Sequence, residues 1–120
     1  MNSIQERRKF PRAEFPQAIR LQPVQASKSG NVFEVQGDSV AADGRDISEG
    51  GFKFNLHETL KPGTILKIIF KVDSLEGHDH EAYVKVVWAQ KKSHGVQFLM
   101  LEESTRRRIK GFIDTDKPGA

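Results

Sequence analysis

Four stretches of this chain alternate inward-type and outward-type side chains with a period of two, and that period belongs to β-strands with one buried face. Leu66, Ile68, Phe70 and Val72 share one side, with Lys67 and Lys71 on the other. Ala82, Val84, Val86 and Trp88 repeat the pattern, as do Phe52, Phe54 and Leu56, and then Val96, Phe98 and Met100. Ala18–Leu21, Val32–Val35 and Val40–Arg45 read as further short strands. Turn chemistry separates these runs: Ser27-Lys28-Ser29-Gly30-Asn31, Gly37-Asp38-Ser39, Leu60-Lys61-Pro62-Gly63-Thr64 and Lys91-Lys92-Ser93-His94-Gly95. Six or so short strands favour a small antiparallel barrel, because closure removes exposed strand edges. Only the end departs from this period. Ile109, Phe112 and Ile113 form the apolar stripe of one short helix, which starts near Glu103 or Ser104. The expected fold is therefore all-β: a six-stranded antiparallel β-barrel with a short C-terminal α-helix. The expected organisation is an Arg-rich flexible N-terminal arm over 1–12, barrel and helix over 13–113, and a frayed tail over 114–120.

At 120 residues there is room for one domain with one modest core. With no Cys, disulfides and thiolate chemistry are excluded. No apolar run is long enough to span a bilayer, and MNSIQERRKF lacks the apolar core of a secretory signal, so a cytoplasmic domain without membrane insertion is expected. The net charge is only +3. Residues 1–12 hold Arg7, Arg8, Lys9 and Arg12 against the single acid Glu6, so this segment carries the whole excess. Such a concentration of guanidinium forks suits an anionic partner, phosphate above all. A second basic cluster, Arg106-Arg107-Arg108 with Lys110, is offset by Glu102 and Glu103.

Enzyme signatures are absent. There is no G-x-S-x-G elbow, H-E-x-x-H helix or phosphate-binding Walker loop, and Ser48 has no His near it in sequence, so no catalytic residue is assigned. His78-Asp79-His80 offers two imidazoles in a polar stretch after Gly77, which reads as a solvated hairpin tip, so no metal site is assigned. Two patterns remain. Arg8-Lys9-Phe10-Pro11-Arg12 is an R-x-x-x-R in which Pro11 forces an extended or bent path. Asp46-Ile47-Ser48-Glu49-Gly50-Gly51 is a D-x-S-x-x-G between two predicted strands. There Asp and Ser bond to local backbone, and the glycines allow positive φ and close ligand approach. Each pattern alone fits an ordinary terminus or hairpin.

In this order and on this scaffold, the two patterns resemble the PilZ domain family, whose two-part signature for cyclic di-GMP is R-x-x-x-R followed by (D/N)-x-S-x-x-G. The resemblance runs from about Glu6 to Ile113 and includes the strand Val84-Lys85-Val86-Val87-Trp88 and the following His94-Gly95-Val96-Gln97-Phe98. It implies a bacterial, cytoplasmic, non-enzymatic receptor for cyclic di-GMP, with no cofactor, that acts through a downstream protein partner. The ligand residues it implies are Arg7, Arg8, Arg12, Asp46, Ser48, Gly50 and Gly51. An Arg directly before R-x-x-x-R, here Arg7, resembles members that hold two intercalated cyclic di-GMP molecules. Trp88 ends a core-facing series, so core packing is its expected role; ligand contact, with Gly95, is the alternative.

Two competing readings belong to other classes. A barrel binding single-stranded nucleic acid would use the basic clusters along a phosphate backbone, but the excess charge is confined to the arm. A nucleotide-independent protein-interaction domain would use Arg106–Arg108 as its patch.

Overall fold

The computed structural model describes residues 11–26, 33–72 and 79–116. Among them are eight strands and one helix: β1 (Arg12–Glu14), β2 (Ala18–Ala26), β3 (Phe33–Val35), β4 (Val40–Ser48), β5 (Gly51–Asn55), β6 (Ile65–Phe70), β7 (His80–Gln90), β8 (Ser93–Met100) and α1 (Glu103–Asp116). Hydrogen bonding runs β4-β5-β8-β7-β6-β2, and β2 pairs back onto β4, which closes a six-stranded antiparallel barrel. The two short extra strands flank the closing seam, β1 on β4 and β3 on β2.

The alternating apolar residues fill the barrel. Phe54, Ile68, Val84 and Ile47 are fully buried, and Phe52 packs edge-on against Phe70, with ring centroids 4.9 Å apart. The turn before β6 follows its composition: Gly63 takes φ +97°, where a Cβ would be strained, and Thr64 N–H donates to Lys61 O at 3.1 Å. His94 also faces inward, stacked on Phe54 at 5.2 Å. Its Nε2 accepts from the Leu60 amide at 2.9 Å, so its proton sits on Nδ1, which donates to Lys92 O at 2.9 Å. It is a structural histidine that ties the β5–β6 connection to the β7–β8 turn.

The helix lies against β1 and β4 and buries Ile109 and Ile113. Phe112 meets Phe15 edge-on at 5.7 Å. The Arg run at the helix start is partly offset by Glu103, whose carboxylate lies 3.8 Å from both Arg106 and Arg107. The helix continues past Ile113 to Asp116, and Thr115 Oγ1 donates to Gly111 O at 2.8 Å within that last turn. Residues 117–120 lie outside the described residues.

Among the described residues, three β-bulges interrupt the alternation. On β4 the pairing steps from Gly44 to Asp46 while β5 advances one residue, leaving Arg45 as the extra residue. On β7 the step is from Val86 to Trp88, with Val87 extra. On β8 it is from Phe98 to Met100, with Leu99 extra. Each extra residue inverts the inside–outside phase beyond it. Met100, expected on the core face, is therefore 55% exposed, and Leu101 packs against the core instead.

Candidate ligand-binding site

The bulges on β4 and β7 decide what faces outward at one place on the barrel wall. Without Arg45 as an extra residue, the phase of Ala42 and Gly44 would carry Asp46 and Ser48 into the core. With it, Ile47 is buried and both polar side chains stand outside. The bulge at Val87 turns Trp88 outward in the same way. Trp88 is 41% exposed, which corrects the expected core role.

β1 then brings in the first motif. Arg12 pairs across the strands with Ser48, and Glu14 with Asp46. Arg12, assigned from sequence to the arm, is thus the first residue of a strand hydrogen-bonded to the barrel. The strand breaks at Phe15–Gln17, where the Phe15 amide donates to Arg45 O at 2.7 Å and the Gly44 amide donates to Gln17 O at 2.8 Å. This break lets one chain segment pair with both halves of β4.

Ser48 organises the β4–β5 turn. Its Oγ accepts from the amides of Gly50 at 3.0 Å and Gly51 at 3.2 Å. The Glu49 carbonyl accepts a long bond, 3.4 Å, from Arg106 of α1, and Gly50 O accepts from the Phe98 amide at 2.9 Å. The expected positive φ at the paired glycines is not found: among the described residues only Gly37, Gly63 and Lys91 have it. At Gly51 the need is for space, because a Cβ would run into the Val96 carbonyl oxygen. A turn held by two amides on one hydroxyl needs no left-handed residue.

Arg12, Asp46, Ser48, Gly50, Gly51, Trp88 and Gly95 all line one open trough of about 440 Å³. Its lining includes Gly51 of β5 and Gly95 of β8. Trp88 lies directly against Gly95, where a Cβ would collide with the indole. Lys53 Nζ sits 5.9 Å from the centre of the Trp88 ring. The side chains of Arg12 and Asp46 form no hydrogen bond or ion pair with any described residue, so both charged groups remain available to a ligand. Lys53, Val87 and Gln97 also line the trough, and the motifs did not point to them. Lys53 could have been found from its outward phase two residues after Gly51; Val87 could not, since its position depends on the bulge. Arg7 and Arg8 lie outside the described residues, as does His78. Among the described residues no group of three or more His, Asp or Glu is placed to hold a metal ion, and no helix is long and apolar enough to cross a membrane.

Because Gly95 seats the indole, Gly95→Ala is expected to swing Trp88 off the wall at little cost to stability, since the ring is already half in solvent. The chain has one Trp, so the displacement is readable as a red shift of its fluorescence. An unshifted spectrum would mean that the ring is held elsewhere.

Comparison with known proteins agrees with this architecture. No curated protein matches. Among solved structures, the Bacillus subtilis inhibitor of motility (MotI/DgrA) superposes with a TM-score of 0.71 at 14% identity, covering 90% of this chain and 50% of that one. The chain therefore spans about half the length of that neighbour. The PilZ domain of CeSA from a cellulose-synthesizing bacterium superposes with a TM-score of 0.54 at 13% identity, covering 87% of this chain and 95% of that domain. At such identities these likenesses speak for the fold alone. The sequence profile of the PilZ domain, a family of known cyclic di-GMP receptors rather than enzymes, matches residues 6–115, and the chain belongs to that family.

Proposed function

We propose that this chain is a bacterial, cytoplasmic cyclic di-GMP receptor that binds through R-x-x-x-R and D-x-S-x-x-G and signals through a protein partner. The observation that carries this reading is the register of β1 on β4: the last Arg of one motif stands opposite the Ser of the other, over one trough. The donors and acceptors there suit the ligand. Ser48 Oγ accepts two amides and donates only a long bond, 3.5 Å, to Gly51 O, so a phosphate oxygen is a fitting competitor for its proton. Asp46 accepts only, which matches the N1–H and N2–H₂ of guanine. The Arg12 fork fits a phosphodiester or the O6/N7 edge of guanine. The Trp88 indole is half-exposed, and a purine can stack on it in the place that Lys53 Nζ now lies toward.

Arg8 precedes Arg12 by four residues, a span that keeps it within about 14 Å along the chain. In the proposed mechanism Arg7 and Arg8 close over ligand held on the wall, Arg7 supports a second, intercalated cyclic di-GMP, and the closed segment presents a new surface to the partner. Isothermal titration tests the reading: saturable heat with cyclic di-GMP, at two ligands per chain, and none with GTP or single-stranded RNA. No heat with cyclic di-GMP would sink the receptor; a stoichiometry of one would remove only the second ligand. Amide exchange at residues 6–10 is expected to slow on saturation, and unchanged exchange would rule out closure.

A further inference from the structure

Lys53 belongs to neither motif, yet it lines the trough. It is the direct cross-strand partner of Asp46 on one side and of Gly95 on the other. Opposite charges at such positions, with Cβ atoms about 5 Å apart, ordinarily pair. Here neither group has an ion pair among the described residues. The ammonium lies instead toward the indole of Trp88, which is itself seated on Gly95. The ring draws the cation one way while the carboxylate stays on the far strand. The trough wall thus carries a group that can only accept beside a group that can only donate, both half-buried and both unengaged by each other.

We propose that Asp46 and Lys53 together read the purine, so that Lys53 is a specificity-determining residue that admits guanine and rejects adenine. This inference rests on the receptor reading above. Guanine carries an acceptor, O6, next to a donor, N1–H; set against Lys53 and Asp46, both are satisfied. Adenine in the same pose turns its N6–H₂ donor toward the ammonium and its N1 acceptor toward the carboxylate. Both contacts are then mismatched, and discrimination comes chiefly from polar groups left unpaired against the base. A lysine that served only as a counter-charge for phosphate would favour both cyclic dinucleotides equally.

The test is titration of the full chain and its Lys53→Met and Lys53→Arg variants with cyclic di-GMP and cyclic di-AMP at one fixed salt concentration, with melting curves to establish folding. Lys53→Met is expected to weaken cyclic di-GMP by roughly ten- to hundredfold and to leave or improve cyclic di-AMP binding, while Lys53→Arg, which keeps a donor, retains the preference. Equal loss for both ligands, or no change for either, would overturn the proposal while the receptor reading stands. Wild-type chain that binds neither ligand would overturn the receptor reading itself, and this inference with it.

Discussion

Arg12→Ala is expected to lower affinity for cyclic di-GMP by about a hundredfold while changing stability by no more than about 0.5 kcal/mol. The two effects separate because of where Arg12 sits. Its backbone holds β1 to β4 opposite Ser48, and any residue can make those main-chain bonds. Its side chain is exposed and unpartnered among the described residues, so the fold loses little when it is removed. The ligand, however, would lose a bidentate, charge-assisted contact worth about 1.5–3 kcal/mol. Arg12→Lys keeps the charge but not the fork and should recover only part of the loss. Arg8→Ala should cost a similar factor. If both arginines grip one phosphate or one base, the double variant will lose less than the product of the two. Titration at constant ionic strength, with thermal melts of each of the four variants, checks these expectations. Arg12→Ala binding like wild type would detach the first motif from the site.

The architecture was legible because its main signal is local. The alternation of Leu66, Ile68 and Phe70 against Lys67, and of Ala82, Val84 and Val86 against Lys85, depends only on which side of a pleat each residue occupies. The helix was equally plain from Ile109 and Ile113, which are both buried. What alternation hides is its own interruption. Val86, Val87 and Trp88 read as a continuing apolar run, and nothing in their composition marks Val87 as the residue without a partner. The bulge is set by what faces it. β8 offers Gly95, and only a residue without a side chain leaves room for an indole laid across the strand. Arg45 is similar: its extra place on β4 follows from the strand break at Phe15–Gln17, a tertiary feature. The chemistry-bearing residues were thus visible by motif, whereas their meeting in one trough is a consequence of two bulges and one broken strand.

That dependence makes Gly44 the position where stability and binding are most tightly joined. A Cβ there would stand 2.6 Å from Phe15 O, 2.7 Å from Gln17 O and 3.1 Å from the Phe15 ring. Two of these are backbone oxygens, and neither is free to retreat. The Phe15 amide is fixed to Arg45 O, and the Gln17 amide is fixed to Phe15 O at 2.8 Å. The Phe15 ring is fully buried between Phe52, at 5.4 Å, and Phe112 of α1, at 5.7 Å. Relief therefore requires the β1–β2 break to move away from β4, which opens the barrel seam and loosens the helix together. Gly44→Ala is expected to cost about 3 kcal/mol, the upper end for an overpacked site, and to lower the melting temperature by roughly 10–20 °C. The consequence for binding is separate from the loss of folded protein. In molecules that remain folded, displaced β1 no longer sets Arg12 opposite Ser48, so affinity measured well below the melting transition should also fall, by tenfold or more. A control sharpens the comparison: Gly111→Ala lies in the helix with open space at its Cβ, and should stabilise the chain slightly without touching binding. If Gly44→Ala melts earlier yet binds cyclic di-GMP as tightly as wild type at low temperature, the register of β1 on β4 does not build the site.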